Sequence, residues 1–136
     1  TVYGPWGRPD MAMYIFASKI NNNVPIQVFN NGEMQRDFTF IDDIICGIIS
    51  SIENNYNCEI FNLGNNKSEN LMDVVSIIEN KIGKKAIIEH KPMQLGDVKK
   101  TFADIDKSKT MLRYDPKINI KQGVNSFLDW YLDYTK

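Results

Sequence analysis

The chain has 136 residues, 43% of them hydrophobic, and its 16 Lys+Arg against 17 Asp+Glu leave a formal charge of -1. That length suffices for one domain with a real core and is short for two, so residues 1–136 are read as a single domain. Near-neutrality excludes a global electrostatic drive toward nucleic acid or anionic membrane, and the longest apolar runs, such as Ile44 to Ile49, fall far short of the ~20 residues of a membrane span.

With no basic-then-apolar leader the sequence reads as a soluble, cytoplasmic protein, and any anion site in it must be local. Its two cysteines, Cys46 and Cys58, have neither the density of a disulfide scaffold nor the spacing of a metal site and are expected as reduced core thiols. The chain opens at Thr1 and runs directly into the turn-like Val2-Tyr3-Gly4-Pro5-Trp6-Gly7, as a fragment would.

From Asp10 to about Asn22, Met13, Ile15, Phe16 and Ile20 predict a short helix with Asp10 as its N-cap. Val24 to Phe29 is a β-branched run closed by Asn30-Asn31-Gly32, and Phe38 and Phe40 alternate beyond it, which predicts a hairpin-like strand pair. Ile41, Ile44, Ile45, Ile48, Ile49 and Ile52 recur at helical spacing, with Asp42 and Asp43 in the first turn where the helix dipole favours negative charge. Glu59 to Gly64 predicts a short strand, and Asn70 opens a helix whose Leu71, Val74, Val75, Ile78 and Ile82 form one stripe before Gly83. Ala86 to Glu89 predicts another strand, and Asp106 caps a short helix through Leu112, broken by Tyr114-Asp115-Pro116. A last helix carries Ile120, Val124, Phe127, Leu128, Tyr131 and Leu132 as core. The fold class is α/β, a small mixed domain of helices and short strands.

Little catalytic machinery is visible. There is no Gly-x-Gly-x-x-Gly or Gly-x-x-x-x-Gly-Lys loop to cradle a dinucleotide or a triphosphate. His90 is the only histidine and receives no role. Tyr14 and Lys19, five apart, lie about 140° from each other on a helix and form no acid/base pair. What remains is anion and polyol chemistry. Arg36 presents a planar fork either to phosphate oxygens or to its neighbour Asp37. Asp97, after Gly96, either accepts from two sugar hydroxyls or simply forms a turn. Phe29, at a strand end, either stacks on a base or packs in the core.

Taken together, Thr1-Val2-Tyr3-Gly4-Pro5-Trp6-Gly7-Arg8-Pro9-Asp10, Arg36-Asp37-Phe38-Thr39-Phe40-Ile41-Asp42-Asp43, Phe61-Asn62-Leu63-Gly64 and Gln94-Leu95-Gly96-Asp97-Val98 with Thr101 and Ala103-Asp104 resemble the NAD-dependent sugar-nucleotide epimerase/dehydratase family of extended short-chain dehydrogenases. The first motif is most similar to the UDP-glucuronate 4-epimerase branch.

The resemblance implies the C-terminal, substrate-binding part of such an enzyme. NAD, the Gly-rich loop and the catalytic Tyr-x-x-x-Lys pair would belong to an N-terminal Rossmann domain absent from these residues, so no catalytic and no cofactor-binding residue is expected in this chain. It implies a UDP-sugar as substrate, the missing Rossmann domain as partner, a homodimer for the intact enzyme, and hydride removal from and return to C4 of the hexose. By the same resemblance Arg36 contacts the nucleotide diphosphate, Asp97 the ribose hydroxyls and Phe29 the uracil, while Thr1 and Arg8 lie near the sugar C5 substituent and Asp42 and Asp43 stay structural. Two rivals stand beside this reading, a dehydratase or decarboxylase of the same family and a free-standing interaction module.

Overall fold

The computed structural model describes residues 1–136. Helical periodicity is realised wherever the sequence carries it. Helix α1 (Ala12–Asn21) buries Met13, Phe16, Ala17 and Ile20. Helix α3 (Leu71–Ile82) buries Val74, Val75 and Ile78 and stops at Gly83, whose φ of 77° is one a side chain would resist. Helix α5 (Ile120–Tyr134) buries Val124, Phe127, Leu128 and Tyr131 and opens on a capping box, Asn119 accepting from Gln122 N while the Gln122 side chain accepts from Asn119 N. These three helices close over one core of 16 buried residues that also takes in Tyr3, Ile26, Val28, Phe38 and Phe40, each large side chain contributing about 1.5–3 kcal/mol when fully buried.

Two of the expected caps lie elsewhere. Asp10 does not cap α1; its carboxylate turns to the guanidinium two residues back, accepting from Arg8 Nε at 3.0 Å, and extended Met11 precedes the helix without a side-chain cap. In α4 (Asp106–Leu112), Asp106 already lies inside the first turn, and it is the Asp104 carboxylate that accepts from Asp106 N at 3.0 Å.

The strands differ more. Six short ones form three separate pairs: β1 (Val2–Tyr3) parallel to β4 (Thr39–Phe40), β2 (Ile26–Phe29) parallel to β6 (Ile88–Lys91), and β3 (Gln35–Asp37) antiparallel to β5 (Ser68–Asn70). The expected hairpin is absent. Asn30, Asn31 and Gly32 all have positive φ (49°, 52° and 86°) and wind a 3-10 turn, so the chain leaves β2 sideways rather than folding back on it. Glu59 to Gly64 forms no strand, because side chains take its carbonyls: Ser108 Oγ donates to Asn62 O at 2.5 Å and Tyr114 OH to Gly64 O at 3.0 Å. The strand expected at Ala86 starts at Ile88, Ala86 N being claimed by Glu79 Oε1 at 2.8 Å.

Helix α2 (Ile41–Glu53) forms where the isoleucine pattern places it, with Asp42 and Asp43 in its first turn. It packs through small and polar groups instead of its stripe. Asp43 is buried and accepts from Lys117 N and Ile118 N at 3.0 and 3.1 Å, and Gly47 lies so near Leu63 and Tyr114 that a Cβ would meet them at 2.6 and 2.9 Å. Ile45, Ile48, Ile49 and Ile52 are left exposed. Cys46 shares that outward position and Cys58 is exposed as well, so neither is the core thiol expected. No helix is long and apolar enough to cross a membrane.

Candidate binding site

Strand β3, paired with β5 along one edge and bridged to Lys100 along the other, lines a space together with α1, the end of β2 and Asp97. That space is a cleft of about 440 Å³. Its walls are apolar where α1 contributes Met11, Ile15 and Phe16, and polar where Thr1, Arg36 and Asp97 meet, with Phe29 at the strand end between them. Four residues singled out by the sequence, Thr1, Phe29, Arg36 and Asp97, thus line one cavity although they span 97 positions of the chain.

Arg36 is preorganised. Its Nη1 donates to Gln35 O at 2.9 Å and Lys99 O at 3.4 Å, and its Nη2 donates to Asp97 Oδ1 at 2.6 Å. The ion pair is therefore with Asp97 and not with the adjacent Asp37. The two side chains are 18% and 31% exposed, enough shelter to strengthen the pair and enough opening to reach a ligand. Of the five N–H donors of a guanidinium, three are engaged by protein, which leaves Nε–H and one Nη2–H for an anion. Asp97 Oδ1 also accepts from Val98 N at 2.9 Å, so Oδ2 is the oxygen left to accept from a ligand hydroxyl. Gly96, at φ 84°, makes the turn that lifts Asp97 to the rim.

Arg8 does not enter this cleft. Its side chain is 75% exposed and paired with Asp10, which stands on the rim, while Arg8 itself borders a recess of about 20 Å³ on the other side of Met11. The hydrogen bond to Asp10, and then its charge, raise the Arg8 pKa, and the same hydrogen bond holds the Asp10 carboxyl below its ordinary value. A larger polar groove of about 760 Å³ between the C-terminal ends of α2 and α4 gathers none of the expected residues.

Sequence reasoning missed Lys19, Gln27 and Asp10, all of which line the cleft. For Lys19 a signal existed: it follows Ile15 by four positions, so it is a charged residue on the apolar face of its helix. Tyr14 packs the other way, against Tyr131 and Phe127 with ring centroids 5.2 and 6.4 Å distant. His90 is exposed on β6, and no cluster of three or more His, Cys, Asp or Glu is placed to hold a metal ion.

A dinucleotide would need a glycine-rich turn between a strand and a helix N-terminus. The junctions into α2 and α3 pass without a loop, Phe40 into Ile41 and Asn70 into Leu71, and the loops into α1, with Gly4 and Gly7, and into α4, with Gly96 alone, lack the Gly-x-Gly-x-x-Gly spacing, so these residues do not fit NAD.

Comparison with known proteins places the chain. Residues 1–64 match the model of the NAD dependent epimerase/dehydratase family. An uncharacterized protein of Methanocaldococcus jannaschii is 47% identical over 98% of this chain and 41% of its own length. The UDP-glucuronate 4-epimerase of Thermodesulfobacterium geofontis is 43% identical over 96% of this chain and 40% of its own. The crystal structure of UDP-glucuronic acid 4-epimerase from Bacillus cereus, in complex with UDP-glucuronic acid and NAD, superposes with a TM-score of 0.92 at 34% identity, over 98% of this chain and 43% of that one. The chain thus spans less than half the length of these relatives and corresponds to the C-terminal portion of the epimerase chain. The alignments and the superposition extend along almost the whole chain, and over residues 1–64 it carries the sequence of the NAD dependent epimerase/dehydratase family.

Proposed function

We propose that residues 1–136 are the nucleotide-sugar-binding domain of an NAD-dependent 4-epimerase that interconverts UDP-glucuronate and UDP-galacturonate. The observation that carries this reading is the convergence of Thr1, Phe29, Arg36 and Asp97 on one cleft. The unspent donors of Arg36 grip the diphosphate, Asp97 Oδ2 accepts from the ribose hydroxyls, and Phe29 lies along the uracil. Thr1 attends the C5 carboxylate, and Arg8, which lies outside the cleft beside Asp10, turns in to join it. In this reading the domain recognises and orients the substrate, and the cofactor and the acid/base pair belong to a dinucleotide-binding half that lies against the exposed isoleucines of α2. The intact enzyme is taken as a cytoplasmic homodimer, and its sedimentation checks the second part.

Arg36→Lys tests the reading. It keeps the charge and one contact to Asp97 but removes the planar fork, so UDP affinity is expected to fall by about 1–2 kcal/mol, near tenfold, with little change in melting temperature. Calorimetric titration with UDP, beside thermal melts of the unliganded protein, reads both quantities. A variant that binds UDP as the unsubstituted chain does removes Arg36 from the site.

A further inference from the structure

The pleat of β3 sends Arg36 and Asp37 to opposite faces. Arg36 lines the cleft, while Asp37 is 5% exposed. Both oxygens of this buried carboxylate are occupied. Oδ1 accepts from Asn65 N at 2.8 Å and Thr39 Oγ1 at 3.2 Å; Oδ2 accepts from Ala103 N at 2.9 Å and Asn66 N at 3.1 Å. No lysine or arginine side chain pairs with it, so three main-chain amides and a hydroxyl meet the charge.

Those amides come from two segments remote in sequence, and one of them is the continuation of the Asp97 loop. Gln35 N donates to Lys99 O at 2.8 Å, Thr101 N to Gln35 O at 3.2 Å and Asp37 N to Thr101 Oγ1 at 3.3 Å. Residues 99–103 are therefore laid along β3, with the Asp37 carboxylate at the inner end of the clasp and the Arg36–Asp97 pair at the outer end. The other segment is drawn in as tightly. A Cβ on Gly64 would meet Ala103 Cβ at 2.5 Å and Asp37 Oδ2 at 3.1 Å.

We propose that Asp37 is a positioning residue for the cleft: it fixes the register of residues 97–103 on β3 and thereby sets Asp97 against Arg36. The proposal rests on the reading of the cleft as a nucleotide-sugar site. It accounts for an aspartate beside the arginine that it does not neutralise. Asparagine cannot replace it, because either orientation of the amide turns an NH₂ toward main-chain N–H donors.

The test is a double-mutant cycle on UDP affinity, measured by calorimetry on the full chain after circular dichroism has shown each variant folded. Asp37→Asn is expected to weaken UDP about tenfold when Asp97 is present, and by less than about twofold in the Asp97→Ala background, because its effect passes through Asp97. A purely structural role would give the same loss in both backgrounds. Thr101→Val, which removes the hydroxyl that accepts from Asp37 N, is expected to show the same non-additivity at about threefold and carries the test alone where Asp37→Asn does not fold. No UDP binding by the unsubstituted chain overturns the reading of the cleft and leaves Asp37 nothing to position. Binding by the unsubstituted chain with unchanged affinity in the variants, or with equal losses in both backgrounds, overturns the positioning role alone.

Discussion

Arg8 is a cation with one exposed partner, Asp10, and an exposed pair of this kind contributes little to stability. It is therefore free to exchange one carboxylate for another, and in the proposed site the incoming one is the C5 carboxylate of the sugar. Arg8→Ala is expected to leave the melting temperature unchanged. In the chain joined to the remaining part of a relative, it should weaken UDP-glucuronate by about 1.5–3 kcal/mol while sparing UDP-glucose, which has no charge to lose. Competition titration with the two ligands measures the difference, and equal losses would remove Arg8 from carboxylate recognition. At this scale Phe29, Arg36 and Asp97 were legible as types of chemistry, while a role for Thr1 and the convergence of all four on one ligand came only with the family resemblance, because spacing along a chain says nothing of which loops meet. The alternative that paired Arg36 with Asp37 fails for a physical reason. Adjacency suggested a pair with Arg36, whereas adjacent residues of a strand face apart.

The elements divide by the range of the information that forms them. A helix is closed by bonds to residues four away, so the stripes of α1, α3 and α5 could be read locally. A strand takes its identity from a partner, and here Phe29 pairs in register with Lys91 and Arg36 with Glu69, which no local pattern reveals. Helix α2 falls between the two cases. Its period was legible, but the periodic face is the outward one, with Ile49 48% and Ile52 72% exposed. In the proposed reading these adjoining apolar residues are the surface that the dinucleotide-binding half covers. Ile49→Asp is expected to shift stability by no more than about 0.5 kcal/mol, since the site is at the surface. It should still abolish association with the remaining part of the Thermodesulfobacterium geofontis relative, read by size-exclusion chromatography of the mixture. Undiminished association would show that this face lies outside the interface.

For the molecule as a whole, two buried phenols set an alkaline limit. Tyr3 packs edge-on to Phe38 and Phe40, its hydroxyl against Gly123 with no hydrogen-bond partner, and Tyr114 is sealed over Gly64. Burial first, and the nearby Asp43 charge second, raise both phenols well above the ordinary value of 10.0. Folding thus favours the neutral form, a contribution fully present below about pH 10 and lost as pH rises toward the folded-state values. Alkaline titration should show phenolate absorbance from these two rings appearing together with loss of ellipticity, and Tyr3→Phe should move that transition to higher pH. Function divides the molecule in a different way. In the proposed reading the cleft grips without chemistry, since none of the six tyrosines is followed by a lysine four positions later and no strand-to-helix junction carries a Gly-x-Gly-x-x-Gly loop. The chain incubated with UDP-glucuronate and NAD is therefore expected to form no UDP-galacturonate. The same chain co-expressed with the remaining part of the Thermodesulfobacterium geofontis relative should form it, and Ile49→Asp should abolish that turnover without changing calorimetric UDP binding. Chromatography of the nucleotide sugars decides the matter. Turnover by the chain alone would place the chemistry within these residues, and the division of labour between recognition and catalysis would have to be abandoned.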